Sequence, residues 1–434
     1  MMWKSLVLVF FSFTAGPGVS FALFGFTPAC QVLWTYENQG HVSSLAMSND
    51  GRYIAMVKQP NFFGDTTLSM FSNNSSDPLW NYTLSPNGTV WEFTSISDDG
   101  GYLTVSGDYT PGLRGAGLFR SFSNKPVWTL GNNSFGYPPP WFDARVSGNG
   151  QYTVLRSQTE NLAPQSSLTL RRNPTMTLLW YFNTSYYNAL RSPIPLSISH
   201  EGAYVVAVDP SGDYLGYMPR LSVFSQHDNR TLWTSKAYWV SAAISGNGDR
   251  IVARTNTTIS VFGLSSNQTL LTITSPWEPF SVSQDGSTLA FLSGLATLQV
   301  YDLTTGLELF SANANSSGPL DVAVSADGSR IALFNGSHLF VYGRSGKSIC
   351  EATVPPGESP LGASVAISGD GQWIALGGAY LSYVRVSSTS PSAQEILFFE
   401  SVGAVAIVAG TVAFGLLIRR HKRRNRKSQV ATAN

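Results

Sequence analysis

Few segments of this chain match a pattern that catalytic chemistry requires. Residues 343–348 (GRSGKS) resemble a phosphate-binding loop, but that motif needs a glycine five residues before Gly346, where the sequence has Val341. No Gly-x-Ser-x-Gly elbow of a serine hydrolase occurs. The histidines outside the C-terminal tail form no HxH or HExxH pair, and they are His41, His200, His227 and His338. We therefore predict no metal and no cofactor, and we interpret these histidines as surface turn residues.

Acidic side chains recur at one position of a repeated pattern, which raises the question of a calcium site. The position lies two residues after a recurring serine and is occupied by Asp50, Asp99, Asp285, Asp327 and Asp370. In three further copies the residue is Asn149, Asn247 or Glu201. A calcium site would demand charge at this position, whereas a tight turn accepts Asp, Asn or Gly. The pattern therefore favours turn formation.

One group of residues could form a recognition surface. A tryptophan lies six residues before the recurring serine in four copies, at Trp91, Trp141, Trp239 and Trp277. Acidic residues accompany three of these tryptophans, at Glu92, Asp143 and Glu278. Aromatic faces suit sugars, cationic groups and the hot spots of protein interfaces. The alternative is that these side chains pack between neighbouring repeats.

The recurring serine belongs to the pattern apolar-x-apolar-Ser-x-x-Gly-x-x-apolar, which occurs eight times. Its serines follow one another at intervals of 38 to 52 residues, and they are Ser48, Ser97, Ser147, Ser199, Ser245, Ser283, Ser325 and Ser368. Each copy predicts a β-hairpin, because two apolar runs flank a turn whose Asp-Gly or Asn-Gly supplies positive φ angles. Two further apolar runs follow each hairpin, so each unit is predicted to contain four strands.

The eighth unit lacks a fourth strand, because the chain after its third strand enters the Ser/Pro-rich segment 388–395 (STSPSAQE). The missing strand is found near the N-terminus, at residues 32–36 (VLWTY), which resemble the fourth strand at residues 78–84 (PLWNYTL). A strand from the N-terminus that completes the last unit would close a ring and protect its edges. We therefore predict an all-β, eight-bladed β-propeller with four-stranded antiparallel blades over residues 32–387.

The units resemble those of WD-repeat, YVTN and quinoprotein-type propellers, in particular propellers of prokaryotic and archaeal cell surfaces. The resemblance covers residues 32–387 and rests on the Ser-x-Asp-Gly turn, while the Trp-Asp and Gly-His dipeptides of true WD repeats are absent. It implies a fold and leaves activity open. In such propellers the first strand lines the central channel. The tryptophans, about 20 Å from the turn at 3.3 Å per residue, are therefore expected at the opposite mouth.

Two apolar segments predict export and membrane attachment. Residues 1–22 fit a signal peptide, with Lys4 before an apolar run and small residues at the cleavage positions, although an uncleaved anchor is the alternative. Residues 396–418 are predicted to form a transmembrane helix, and 388–395 a linker. The basic tail 419–434 is then cytoplasmic by the positive-inside rule. Without Lys4 and the basic tail, the chain holds 19 basic against 26 acidic residues, which disfavours nucleic-acid binding.

Glycosylation motifs and cysteines also fit an exported chain. Eleven Asn-x-Ser/Thr sequons occur between the two apolar segments, where chance would give roughly five, and they are Asn73, Asn74, Asn81, Asn87, Asn132, Asn183, Asn229, Asn256, Asn267, Asn315 and Asn335. A turn chemistry rich in Ser and Asn would also raise this number. Cys30 precedes the predicted closing strand, and Cys350 lies in the fourth strand of the seventh unit. We expect them to form a disulfide that clasps the ring.

These observations favour a non-catalytic binding or scaffold protein of the cell membrane. It would be single-pass, with the propeller outside, and its partner would be an envelope protein, a peptide or a glycan. The alternative is an enzyme of the hydrolase or lyase type with its site at the channel mouth. A third possibility is a structural component of the cell envelope. A close carboxylate pair at the mouth would favour the enzyme.

Overall fold

The eight hairpin patterns form eight four-stranded antiparallel sheets, or blades, in a computed structural model of the chain. The structure describes residues 30–37, 40–60, 65–85, 92–107, 115–130, 141–158, 166–184, 196–209, 219–274, 279–294, 297–313, 320–355 and 363–387. Along the chain, blades 1 to 7 each use four consecutive strands, paired in sequence order. The predicted all-β architecture, with eight blades of four antiparallel strands, is therefore confirmed.

The strands of blades 1 to 4 are β2 (Gly40–Met47), β3 (Tyr53–Pro60), β4 (Thr66–Ser72) and β5 (Trp80–Ser85); β6 (Glu92–Ile96), β7 (Tyr102–Gly107), β8 (Gly115–Arg120) and β9 (Ser123–Leu130); β10 (Trp141–Val146), β11 (Tyr152–Gln158), β12 (Ser166–Arg172) and β13 (Thr177–Thr184); β14 (Leu196–Ile198), β15 (Tyr204–Asp209), β16 (Arg220–Ser225) and β17 (Asp228–Lys236). Those of blades 5 to 8 are β18 (Ser241–Ile244), β19 (Arg250–Arg254), β20 (Thr258–Gly263) and β21 (Thr269–Thr274); β22 (Phe280–Val282), β23 (Thr288–Ser293), β24 (Thr297–Asp302) and β25 (Leu307–Asn313); β26 (Asp321–Val324), β27 (Arg330–Phe334), β28 (His338–Gly343) and β29 (Ser348–Thr353); β30 (Ser364–Ile367), β31 (Trp373–Gly377), β32 (Tyr380–Val386) and β1 (Cys30–Glu37).

Blade 8 contains both ends of the described chain. Its strand order is β30-β31-β32-β1, so the N-terminal strand supplies the outermost position. Strand β1 runs antiparallel to β32, with Cys30 opposite Val386 and Trp34 opposite Tyr383. This pairing confirms the prediction that residues 32–36 complete the eighth blade, and it covers the outer edge of β32.

Aromatic packing joins the outer parts of neighbouring blades. The fourth-strand tryptophan of one blade stacks on the third-strand phenylalanine of the next, as in Trp80 on Phe119 and Trp180 on Phe224, with ring centroids 5.8 and 5.5 Å apart. The Trp80 indole also donates a hydrogen bond to the carbonyl of Ser121 in the next blade. Each such pair adds about 0.5–1.5 kcal/mol beyond the burial of its area.

Backbone hydrogen bonds join all eight hairpin turns into a closed circle. In each blade, the N–H of a residue one or two positions after the motif serine donates a hydrogen bond to the next blade. The acceptor is the carbonyl of the residue directly after that blade's serine, over 2.7 to 3.1 Å. The sequence of bonds begins with Asn49 to Asp98 and ends with Gly369 to Asn49. We call this end of the ring, where the Ser-x-x-Gly turns lie, the turn end. The opposite end, where the first strands begin, is the loop end.

A disulfide joins the outer strands of blades 7 and 8. Cys30 begins β1 and Cys350 lies in β29, and their Cα atoms are 5.5 Å apart. Since β1 is the strand that closes the ring, the bond fixes this strand to a second blade as well as to β32.

The predicted segments outside the propeller lie beyond the described residues. These segments are the signal peptide 1–22, the linker 388–395, the transmembrane helix 396–418 and the tail 419–434. The described ranges contain no helix with the length and apolar character needed to span a membrane.

Candidate functional site

The carboxylates at the turn end are engaged in the turns themselves. In blade 1 the Ser48 hydroxyl donates to Asp50 Oδ1 over 2.7 Å, and it accepts from the N–H of Tyr53 over 3.0 Å. The N–H of Arg52 donates to the same carboxylate oxygen over 2.9 Å. Among the residues that the structure describes, no group of three or more His, Cys, Asp or Glu side chains could hold a metal ion. These contacts support a turn role for the repeated acids.

Polar side chains meet across the ring axis at the turn end. His200 Nδ1 lies 2.6 Å from Asp98 Oδ2, and Gln284 Nε2 donates to Asp98 Oδ1 over 3.3 Å. Asp98 belongs to blade 2 and Gln284 to blade 6, which are opposite each other in a ring of eight. A Cβ atom at Gly148 would collide with His200 Nδ1, so the glycine leaves the space that the histidine occupies. We call these three side chains the axial cluster. They close the channel at the turn end.

His200 is therefore more than the surface turn residue that the sequence predicted. It occupies the repeat position directly after the motif serine, which Asp98 and Gln284 also occupy. The equivalent residues are Asn49, Asp98, Gly148, His200, Gly246, Gln284, Ala326 and Gly369. This column of the repeat carries a signal for the cluster, because His200 and Gln284 stand among small residues, Gly148, Gly246 and Ala326.

Asp143 has a structural role at the inner strand of blade 3. Its side chain is 4% exposed, and Oδ2 accepts from the N–H of Leu196 in blade 4 over 3.2 Å. Oδ1 lies 3.4 Å from Nε of Arg145. The sequence pattern predicts Asp143 at a ligand-binding mouth, but in the structure its carboxylate joins two blades. The reason is that inner-strand N–H groups face the channel and need acceptors.

In other inner strands, the residue at the same repeat position also accepts a hydrogen bond from a backbone N–H of the next blade. Ser44 and Asp321, like Asp143, lie four residues before the motif serine, and each accepts from an N–H of the next blade. Asp321 Oδ2 accepts from Val365 over 2.9 Å, while Oδ1 accepts from Val322 over 2.9 Å. Burial raises the pKa of Asp321 to about 6, against the opposing effect of these two N–H donors.

Arg145 links blade 3 to the preceding blade. Its guanidinium lies 5.1 Å over the ring of Phe93, and Nη1 donates to the carbonyl of Thr94 over 3.3 Å. With Asp143 bonded to blade 4, the Arg145–Asp143 pair connects three consecutive blades. Truncating either side chain would leave the other without its charge partner.

Trp239 is a core residue, contrary to its predicted place in a recognition surface. It is 6% exposed, packs in the apolar cluster between blades 4 and 5, and donates from Nε1 to the carbonyl of Ser235 over 3.1 Å. Strand β18 begins only at Ser241, so the strand periodicity that placed Trp239 at the channel mouth does not extend to it. Its ring meets Phe262 edge to face at 5.8 Å.

Tyr238, the preceding residue, is an exposed aromatic side chain at the loop end that the sequence pattern does not single out. It is 57% exposed and lies at the loop end, between β17 and β18. Buried Trp239 holds this segment in place, together with a 2.8 Å hydrogen bond from its own N–H to the carbonyl of Ala237. Hydropathy alone does not tell which ring of this Tyr-Trp pair is buried and which is exposed.

Of the other residues predicted at the channel mouth, the structure describes only the backbones of two. Trp91, Trp277 and Glu278 lie outside the described residues. The backbones of Glu92 and Trp141 begin strands β6 and β10, at the loop end of blades 2 and 3. Glu92 and Trp141 therefore lie at the same end of the ring as Tyr238.

Exposed apolar side chains are distributed unevenly over the outer surface. Most lie in or just after the turn between the third and fourth strands, which is at the turn end, as with Phe122 at 74% and Leu307 at 67% exposure. Further members lie on or directly before outer strands, and they are Leu33, Leu79, Leu178, Tyr181, Leu232 and Leu270. We call this group the apolar rim. Tyr238 stands apart from it at the other end.

The described sequon asparagines avoid the core. Asn74, Asn81, Asn183, Asn229, Asn256 and Asn267 are exposed. Asn73 and Asn335 are partly buried. Asn87, Asn132 and Asn315 lie outside the described residues.

Comparison with known proteins supports the fold. No family model matches the chain, and no curated protein sequence matches it. Among solved structures, it is similar to the C-terminal WD40 domain of Sif2, with a TM-score of 0.59 and 10% identity over 84% of this chain and 100% of that one. It is also similar to Saccharomyces cerevisiae Sqt1, with a TM-score of 0.58 and 11% identity over 82% and 99% of the two chains. At such low identity the likeness shows a WD40-type β-propeller fold alone.

Proposed function

We propose that this protein is a non-catalytic binding or scaffold module held at the outer cell surface by its C-terminal apolar segment, residues 396–418. Its recognition surface is the loop end of the propeller, and its partner is an envelope protein, a peptide or a glycan. The exposed ring of Tyr238 carries the proposal. An aromatic side chain held on a fixed backbone loses little conformational freedom on binding, and such residues dominate interface energetics.

The roles of the acids argue against the enzyme alternative. Asp143 is the predicted mouth acid whose side chain the structure describes, and both of its oxygens have partners. A general acid or base must reach a substrate proton, which this buried carboxylate does not. WD40-type propellers more commonly provide rigid surfaces, on which loops supply specificity.

Membrane attachment and glycosylation rest on the sequence. The uncharged stretch 402–418, directly before the basic tail, supports a single-pass helix with the propeller outside. Exposure of six described sequon asparagines agrees with glycosylation of an exported chain. Fractionation of cells and treatment with a glycosidase would test both parts, since a soluble protein of unchanged mobility would contradict them.

Photo-crosslinking with matched positions tests the recognition surface. Benzoylphenylalanine would replace Tyr238 in the full chain on intact cells, and Phe122, which is also exposed but lies at the turn end, would be the control position. We expect a discrete crosslinked species from position 238 and none of the same mass from position 122. Products from position 122 alone, or identical products from both, would contradict a loop-end recognition surface.

A further inference from the structure

The chain leaves the propeller at the turn end of blade 8. Val386 is the last residue of β32, and its N–H donates to the carbonyl of Gln372 over 2.8 Å. Gln372 directly follows Gly371, the glycine of the blade 8 turn. The segment that continues from Val386 to the predicted transmembrane helix therefore starts at the turn end, on the outer half of the blade.

The linker between the propeller and the predicted transmembrane helix is short, which limits how the propeller can be oriented relative to the membrane. Its eight residues, 388–395, span at most about 29 Å when fully extended, and about 16 Å on average as a flexible chain. Strand β1, which has eight residues, is about 26 Å long. To bring the loop end to the lipid, the linker would have to run almost fully extended along the whole outer strand.

The apolar rim supports the same orientation. Phe122 and Leu307, its most exposed members, lie at the end of the ring from which the chain exits. The guanidinium of Arg120 lies 5.7 Å over the Phe122 ring, which combines a cation with an exposed aromatic group. Exposed apolar groups with adjacent Arg or Lys are typical of surfaces that lie at a lipid interface.

We propose that the turn end faces the lipid surface of the membrane that anchors the chain, and that the loop end faces away from it. This inference rests on the membrane attachment given under the proposed function. The axial cluster then closes the channel on the membrane side, so the channel is approached from outside. The partner of Tyr238 is accordingly a soluble macromolecule or a component of an opposing surface, and not a juxtamembrane segment beside the anchor.

Energy transfer from paired positions to labelled lipid tests the orientation. Blade 5 offers two exposed residues, Ser265 in the turn after β20 and Thr257 in the loop-end turn before it. Each would be replaced by cysteine in the full chain, labelled with a donor dye while the native disulfide stays intact, and reconstituted in nanodiscs with headgroup acceptors. Strand β20 separates the two positions by about 20 Å. We expect clearly higher transfer efficiency from S265C than from T257C.

A second pair, Ser345→Cys and Thr353→Cys, repeats the measurement on blade 7, beside the anchor. Higher transfer from S345C is expected there as well. Equal efficiencies, or higher transfer from the loop-end positions, would overturn the orientation while leaving the membrane anchor intact. Absence of transfer from all four positions, with protein that does not associate with the lipid, would overturn the anchor and the orientation together.

Discussion

At the scale of single residues, the position of a carboxylate in the repeat decides which part of the ring it stabilises. Asp143 illustrates this point, because its sequence neighbours suggested a channel mouth while its contacts join blades 3 and 4. Ser44 fulfils the same function in blade 1 with a hydroxyl, accepting from Thr94 over 3.0 Å. The fold therefore needs an acceptor at this position and does not need a charge.

Substitution of Asp143 tests this role. We expect Asp143→Ala to lower the free energy of unfolding by about 2–4 kcal/mol, because it leaves the N–H of Leu196 without an acceptor and Arg145 without its ion pair. Asp143→Ser should recover part of this loss. Asp77→Ala, at an exposed turn, should change stability by less than about 0.5 kcal/mol. Equal stability of D143A and the wild type in denaturant titrations would refute the structural role.

Asp321 makes stability depend on pH. Its pKa is raised to about 6 in the folded chain, against about 4 for an unfolded aspartate, so the folded state favours the protonated form. Its stabilising contribution is complete below pH 4 and is lost as the pH rises through 6. Asp321→Ser, which copies the hydroxyl of Ser44, removes this titration. The unfolding free energy of D321S relative to wild type should therefore rise by up to about 3 kcal/mol between pH 4 and 7. A difference that does not vary with pH would contradict the assignment.

At the scale of elements, the Ser-x-x-Gly hairpin serves two purposes. Gly51 has a φ of +71°, which the turn requires. A Cβ atom at Gly51 would also lie 2.5 Å from Cδ1 of Trp373 in blade 8. The same arrangement recurs where Tyr102 of blade 2 approaches Gly150 of blade 3. The glycine thus shapes its own turn and receives a side chain from the preceding blade.

Two glycine substitutions separate these purposes. Gly294 also has a positive φ, of +60°, but a Cβ atom there would meet nothing within 4 Å. We expect Gly294→Ala to cost about 1 kcal/mol for the backbone conformation alone, and Gly51→Ala to cost about 1–3 kcal/mol more because Trp373 must move. Thermal unfolding of both variants would measure the difference. Equal losses would mean that the contact between blades 8 and 1 is unimportant.

The sequence was most informative where the repeated pattern itself carries the signal. Turn chemistry and strand alternation predicted all eight hairpins, and the similarity of residues 32–36 to other fourth strands predicted ring closure. Trp239 could not be placed in this way, because it precedes β18 and its burial depends on packing against Phe262 of another strand. The contact between Asp98 and Gln284 was equally hidden, since their 186-residue separation becomes short only when the ring closes.

At the scale of the whole molecule, the two ends of the ring have different chemistry. The turn end is closed by backbone hydrogen bonds and the axial cluster, bears the apolar rim and releases the chain toward residue 388. The loop end carries Tyr238 on a segment held by Trp239. Because β1 and the hydrogen bonds between turns close the ring, we expect it to bind with little backbone rearrangement.

Hydrogen exchange of the full chain with its crosslinked partner tests loop-end recognition most directly. The backbone amides around Tyr238, at the end of β17 and the start of β18, should exchange more slowly in the complex than in the free chain. Amides of the turn-end hairpins, such as those of Asn49 and Gly51, should exchange at the same rate in both. Protection confined to the turn-end hairpins, with no change around Tyr238, would contradict the account.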